Sequence, residues 1–297
     1  MGTTGTLRAD SVAPMRNART ASPIRWAVAT GAVVVLAATA TVATAGNGPA
    51  PKTLTYRLGT GDDAPAGPAT AAPGVTTFRV TTANEQGGTW QLLKVAAGQD
   101  PREVAVSLDA ARDPDAVEAL GATLVVGVSP VPGQPARVTT ALTPGDYLVA
   151  DTTGDTATPS AVLHVAGAPT GAAAPKPVST VTMGDYTYKL SRTLPRNGVV
   201  RFKNVGTRTH MAVVLKTRNA TDQRKLVGLL KKNDQEGAGK LIAGDGPGVD
   251  LMAGGQSADV PVKYAKGTYV MVCFWASKDS QDKPHNVIGM EKAFTVR

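Results

Sequence analysis

The chain of 297 residues carries one pattern of short apolar segments twice. In the first copy, a segment around Phe78 precedes one that contains Trp90. In the second copy, a segment around Phe202 precedes one that begins at His210. Each copy continues with a helix-like stretch, a Gly-containing turn with an apolar segment, and a short final segment. A repeat of this kind indicates a duplicated structural unit, so we expect both halves to share one fold.

The segments themselves predict strands. Most of them alternate or run apolar over a few residues between turns of Gly, Pro, Asn and Asp. The chain has 32 Gly and 21 Pro but only 4% aromatic residues, which favours turn-rich structure with an aliphatic core. Residues 113–120 and 222–232 are the helix-like stretches, and the second is amphipathic. The sequence therefore predicts an all-β chain of two Greek-key β-sandwiches with short helical insertions.

The N-terminal residues 1–45 have the features of an export signal. Several Arg residues precede an apolar run at 26–45 that ends Ala-Thr-Ala, a small-x-small cleavage site. The run is also long enough to span a bilayer, so an uncleaved membrane anchor remains the alternative to a cleaved signal peptide. Both possibilities place the remaining chain outside the cytoplasm, either secreted or anchored.

Composition shifts divide the exported part into two modules. Residues 166–177 are rich in Ala, Gly and Pro and are predicted to be a linker. The predicted modules are residues 53–165 and 178–297. A single Cys excludes a disulfide framework within the chain.

Charge suggests partners but no nucleic acid. The net charge is +8, and the C-terminal module carries most of the excess of Lys and Arg. Such a surface suits a redox partner protein or an anionic cell-surface polymer. The basic residues lack interleaved aromatic residues, so nucleic-acid binding is not expected. Contact with a membrane is expected only through residues 26–45, if they are uncleaved.

Enzyme motifs are absent from the sequence. It has no nucleophile elbow, zinc-protease helix motif, Walker loop or dinucleotide fingerprint. Its three His are too few for a multinuclear copper oxidase. We therefore expect a protein that is not an enzyme.

Four residues of the C-terminal module suggest a metal site. His210 begins an apolar segment, Cys273 ends another, and His285 and Met290 follow in one short loop. Two imidazoles, one thiolate and a weak axial thioether are the ligand set of a blue-copper site.

The C-terminal module resembles the cupredoxins, the blue-copper family of plastocyanin. The similar motifs are Phe202-x-Asn204-x-Gly206-x-x-x-His210, Gly267-Thr-Tyr269-x-x-x-Cys273 and Pro284-His285-x-x-x-x-Met290. The resemblance implies one type 1 copper with His210, Cys273 and His285 as equatorial ligands and Met290 as the axial ligand. Apart from the resemblance, we expect Asn204 to lie close enough to tie the two ligand loops together by hydrogen bonds. The implied role is electron transfer or copper handling.

The first module resembles a degenerate copy without ligands. Trp90 stands in the place of His210, and Asp151 stands in the place of Cys273. No segment of this copy corresponds to the loop with His285 and Met290. A structural or interaction role follows for this module.

Two departures from the family pattern leave an alternative open. Eleven residues, 274–284, separate Cys273 from His285, which is long for the family. The helical insertion at 222–232 is also long, and we expect it to cover the exposed edge of a ligand. The alternative is a metal-free cupredoxin-like binding or structural module in which Cys273 is an inert core residue. Copper binding requires the sulfur and one nitrogen of each His to converge within roughly 4 Å.

Overall fold

The computed structural model describes residues 48–59, 63–111, 116–153 and 160–297. The predicted export signal at 1–45 and the start of the first predicted helix at Asp113 lie outside these ranges. Within them, the helices are all too short or too polar to cross a bilayer.

The described chain is mostly strands, with short helices inserted. The strands of the first half are β1 (Lys52–Leu58), β2 (Thr70–Ala71), β3 (Gly74–Thr82), β4 (Trp90–Val95), β5 (Ala122–Val128), β6 (Ala136–Leu142), β7 (Gly145–Asp151) and β8 (Ala161–Val165). Those of the second half are β9 (Ser179–Gly184), β10 (Thr187–Leu190), β11 (Asn197–Asn204), β12 (His210–Thr217), β13 (Ile242–Met252), β14 (Ser257–Lys263), β15 (Gly267–Val272) and β16 (Glu291–Val296). The helices are α1 (Pro101–Ala111), α2 (Ala116–Ala119), α3 (Ala220–Lys231) and α4 (Gln235–Gly239), and a 3₁₀ turn covers Lys278–Ser280. The all-β prediction is confirmed.

The strands form three sheets. A seven-stranded sheet has the order β1-β3-β6-β14-β11-β9-β10 and therefore contains strands from both halves. A five-stranded sheet, β2-β8-β7-β4-β5, belongs to the first half, and a four-stranded sheet, β13-β12-β15-β16, belongs to the second. One apolar core, from Leu54 to Val296, includes buried residues of all three sheets.

The two halves share one topology. In the first half β1 pairs in parallel with β3, which pairs antiparallel with β6; β9, β11 and β14 repeat this arrangement. The order β8-β7-β4-β5 is repeated as β16-β15-β12-β13, again with antiparallel pairs. Each half is thus a cupredoxin-like β-sandwich, as the internal repeat predicted.

The helical insertion of the second half lies outside its sandwich. Side chains alternate along β15, so Met271 and the following Cys273 enter the main core, whereas Val270 and Val272 face the other way. Val270 and Val272 form a separate apolar cluster with Leu226 of α3. The apolar face of α3 thus packs on the outer side of the sheet, while its Leu230 carbonyl accepts from the Asn286 side chain, next to His285, at 2.6 Å. That the helix covers a ligand edge stays a prediction.

The halves are joined along two strand edges. In the seven-stranded sheet, Asp259 of β14 pairs with Thr139 of β6. Beside it, the Ala253 N–H donates to the Leu124 carbonyl at 2.8 Å, just after β13 and within β5. The module boundaries drawn from the linker stay a prediction.

Candidate metal centre

Three predicted ligands meet at one end of the four-stranded sheet. His210 is the first residue of β12, Cys273 directly follows β15, and His285 lies in the loop before β16. The Nδ1 atoms of the two His are 3.1 Å apart, and Cys273 Sγ is 3.4 Å from His285 Nδ1. The third separation, between Cys273 Sγ and a ring nitrogen of His210, is within 4.8 Å, which is a looser limit than the roughly 4 Å expected from the sequence. All three residues are 0% exposed, so the structure brings together two imidazoles and a thiol in a buried site.

Backbone hydrogen bonds fold the ligand loop back onto Cys273. The Asn286 N–H donates to the Cys273 carbonyl at 2.9 Å, and the Cys273 N–H donates to the Met290 carbonyl at 3.1 Å. The Met290 N–H donates to the His285 carbonyl at 2.8 Å. Met290 is fully buried in the same apolar cluster as Cys273. These bonds explain why the long gap in the sequence does not carry His285 away from the site.

The eleven-residue segment 274–284 folds over His285. Ser277 Oγ lies 3.3 Å from His285 Nε2, at the start of the 3₁₀ turn. Asp279 of this turn forms an ion pair with Arg208 from the loop before β12. The inserted residues therefore cover the outer nitrogen of His285, and this explains its complete burial.

The turn between β9 and β10 adds two residues that the sequence analysis missed. Asp185 Oδ1 lies 3.4 Å from His210 Nε2. The half-buried ring of Tyr186 meets both imidazoles edge-on, with centroid distances of 6.2 Å to His210 and 4.9 Å to His285. A Gly-Asp-Tyr turn is an ordinary hairpin sequence, so nothing local marked it as part of the site.

The free atoms of the site fit a soft cation. A carboxylate only accepts hydrogen bonds, so the proton of neutral His210 lies on Nε2, toward Asp185, and its Nδ1 carries a lone pair. That lone pair points to the space shared with His285 Nδ1 and Cys273 Sγ. A donor set of two imidazole nitrogens and one sulfur suits copper.

Burial keeps the two imidazoles neutral. Burial lowers the pKa of His285 to about 4, and the neighbouring His210 and Arg208 act in the same direction. Burial also lowers the pKa of His210, although Asp185 opposes that shift. Neutral imidazole is the form that binds metals.

Without a bound cation, the thiol of Cys273 is protonated. Burial raises the pKa of this thiol to about 12. The Met211 N–H, whose nitrogen lies 3.5 Å from the sulfur, acts in the opposite direction and lowers the pKa. A metal ion that binds a thiolate displaces this proton. Without a metal, the same residue is a buried, unreactive thiol.

Asn204 holds the loop before His210, whereas the sequence analysis expected it to tie two ligand loops together. Its amide nitrogen donates to the carbonyls of Arg208 at 2.7 Å and Met252 at 2.8 Å. Its side-chain oxygen accepts from the Gly206 N–H at 3.1 Å. These bonds fix the loop before His210 against the end of β13. The expected tie to the Cys273 loop is replaced by the backbone bonds within that loop.

The first half has no comparable cluster among its described residues. Trp90, the counterpart of His210, is fully buried and packs on Phe78 with ring centroids 4.9 Å apart. It pairs across the sheet with Asp151. Among the described residues of the first half, the position that corresponds to His210 is therefore used for core packing, and the absence of metal ligands from this half stays a prediction.

No family model matches the chain, and no curated protein matches it. Among solved structures, auracyanin from Roseiflexus castenholzii is 20% identical, with 40% of this chain and 94% of that chain covered and a TM-score of 0.27. Azurin from Methylomonas sp. strain J is 19% identical, with 40% and 95% covered and a TM-score of 0.25. The copper nitrite reductase of Nitrosomonas europaea is 12% identical, with 82% and 93% covered and a TM-score of 0.23. Scores this low carry no conclusion about function, which has to come from the geometry of the site.

Proposed function

We propose that this protein binds one copper ion through His210, Cys273 and His285 and serves in electron transfer or copper handling. The observation that supports this is the convergence of three buried donor atoms within 4.8 Å. When bound to such a set, copper accepts and releases one electron at a time. No side chain of the site is assigned a catalytic role, and the proposed protein is a carrier and not an enzyme.

The residues around the site would each do one task. Both imidazoles offer Nδ1, while their Nε2 atoms are engaged by Asp185 and Ser277. The Met211 N–H points to Cys273 Sγ and would stabilise the negative charge of a thiolate. Met290 is the proposed axial ligand. The buried walls exclude water, so the surroundings of the metal change little when its charge changes.

Export and partners belong to the same proposal. The arginine-rich start and apolar run of residues 1–45 support delivery outside the cytoplasm, with or without cleavage. The net charge of +8 supports an acidic redox protein or an anionic surface polymer as the partner.

Titration of residues 46–297 with Cu(II) tests the proposal. We expect an intense visible charge-transfer band from a copper–thiolate bond at one copper per chain. Cys273→Ser and His285→Ala should abolish the band. His164→Ala is the matched control, since His164 is an exposed imidazole paired with Asp146 at 2.7 Å, far from the site in sequence and fold.

Stability gives a second readout. Copper that binds only the folded protein raises the free energy of unfolding by about 2.7 kcal/mol at one hundred times its Kd. A protein with no band and no stabilisation by copper would contradict the proposal. That result would favour the metal-free module, with Cys273 as a core residue.

A further inference from the structure

The turn between β9 and β10 inserts a carboxylate into the loop that carries His210. Asp185 Oδ1 accepts from the N–H groups of Thr207 at 3.0 Å and Arg208 at 3.3 Å. Its Oδ2 accepts from the Thr207 hydroxyl at 3.2 Å. The same Oδ1 faces His210 Nε2 at 3.4 Å. One side chain thus binds the loop backbone and the imidazole together.

Gly206 permits this close approach. A Cβ atom built on Gly206 would lie 2.2 Å from Asp185 Oδ1 and 3.0 Å from the Asp185 backbone nitrogen. Any larger residue would therefore push the carboxylate away from the loop. Gly206 belongs to the motif that precedes His210, so the motif itself contains the space for Asp185.

The backbone of the turn between β9 and β10 is strained at Tyr186. Tyr186 has a φ of 61°, in the left-handed region that bulky residues avoid. Such a conformation costs about 1–3 kcal/mol and persists where surrounding contacts hold it. Here Tyr186 meets both imidazoles, and the neighbouring Asp185 binds the His210 loop.

We propose that Asp185 is a positioning residue that fixes the tautomer of His210 and favours the higher charge state of the bound metal. With Nε2–H held toward the carboxylate, the Nδ1 lone pair faces Cys273 and His285. The negative charge of Asp185 makes the imidazole a stronger donor, which favours Cu(II) over Cu(I). The second half of this inference rests on the proposed copper function; the tautomer does not.

Two variants separate the hydrogen bond from the charge. Asp185→Asn keeps an oxygen that can accept from Nε2–H but removes the charge, whereas Asp185→Ala removes both. Nitrogen NMR of the copper-free protein reports the tautomer of His210. We expect it unchanged in Asp185→Asn and mixed, or shifted to Nδ1–H, in Asp185→Ala. Amide spectra of the same samples establish that each variant is folded.

Voltammetry and copper titration report the charge effect. We expect Asp185→Asn to bind Cu(II) about tenfold more weakly with Cu(I) binding unchanged, which raises the reduction potential by about 59 mV. Glu236→Gln is the matched control, because it removes one exposed carboxylate of the same half whose ion-pair partner is Lys240, in the same helical segment and outside the ligand loops. It should leave the ratio of the two affinities unchanged.

Two results would contradict the inference, and a third would separate the positioning role of Asp185 from the proposed copper function. An unchanged tautomer in Asp185→Ala contradicts the positioning role. An equal shift of potential in Glu236→Gln and Asp185→Asn contradicts the specific charge effect, since general electrostatics would then explain it. If the unmodified protein binds no copper, the proposed function fails, and the NMR comparison alone decides whether Asp185 positions His210.

Discussion

Trp90 begins β4 in the first half as His210 begins β12 in the second, and the two side chains meet opposite conditions. Both ring nitrogens of His210 have polar neighbours, His285 Nδ1 and Asp185 Oδ1. The Nε1 of Trp90 is buried without a hydrogen-bond partner among the described residues. The position of a proposed ligand in the second half is therefore an ordinary core position in the first.

The unpartnered indole nitrogen makes a prediction for Trp90. Trp90→Ala leaves a large cavity beside Phe78 and should lower the free energy of unfolding by about 3–5 kcal/mol. Trp90→Phe loses no hydrogen bond, so it should cost about 1–2 kcal/mol. Urea denaturation of the copper-free protein measures both. A loss above about 3 kcal/mol in Trp90→Phe would mean that the indole nitrogen has a hydrogen-bond partner.

Asn204 is predicted to be important for stability and for the metal. Asn204→Ala leaves the buried carbonyl of Met252 and two backbone groups of the His210 loop without their partner, at a cost of about 3 kcal/mol. It should also speed the transfer of copper to a chelator. Asn219→Ala removes the N-cap of α3 and should cost about 1 kcal/mol without an effect on copper release. Similar release rates in both variants would argue against a role for Asn204 at the site.

Alanine substitutions at Gly206 and Gly228 should change the free energy of unfolding in opposite directions. Gly206→Ala forces its new methyl group into Asp185 and should destabilise the fold by about 1–3 kcal/mol. Gly228 lies on the exposed side of α3 with open space around it, so Gly228→Ala should stabilise by about 0.5–1 kcal/mol. Thermal unfolding of the pair is the measurement. A neutral Gly206→Ala would show that the turn with Asp185 moves freely.

The proposed axial role of Met290 predicts a change in the reduction potential. Met290→Leu conserves volume, so the free energy of unfolding should fall by less than about 1.5 kcal/mol. Loss of the thioether donor should raise the reduction potential, because Cu(II) loses more than Cu(I) does. Met183→Leu, at a buried methionine in the same core, should leave the potential unchanged. An identical potential in all three proteins would remove Met290 from the ligand set.

Buried tyrosines predict a loss of stability in alkali. Burial raises the pKa of Tyr264, whose hydroxyl donates to the Pro247 carbonyl at 2.6 Å. Because the folded pKa lies above the unfolded value of about 10, stability should be intact below that pH and decline above it. Tyr264→Phe should cost about 1 kcal/mol at neutral pH but decline less in alkali. Urea midpoints between about pH 9 and 11 test this, and parallel curves would contradict it.

The sequence predicted the topology well where patterns were local. The apolar segments and turns indicated the duplicated sandwich, and the stretch at 222–232 became α3 at Ala220–Lys231. The helix-like stretch at 113–120 contains α2 at Ala116–Ala119, but α1 was missed. It begins at Pro101, after Asp100, whose side chain accepts from the Arg102 N–H at 2.8 Å. That start signal is readable in the sequence. The strand β13 could not be predicted from the sequence, because it contains four residues of Gly and Pro and pairs with β12 through register shifts.

The candidate site was also only partly predictable from the sequence. Spacing and residue type were enough to nominate His210, Cys273 and His285, which the fold brings together. Asp185 and Tyr186 could not be found, because they approach from a hairpin whose position depends on the pairing of β9 with β11. Contacts made across sheets depend on packing, and one sequence carries no local mark of them.

The junction between the halves covers two strand edges of the second half. Strands β14 and β13 are edge strands of the second half in their respective sheets, and β6 and β5 of the first half lie against them. Bare edges of this kind are templates on which further chains can add strands, and this leads to aggregation. The first half therefore covers two strand edges of the second half, and this protection against aggregation does not depend on metal ligands.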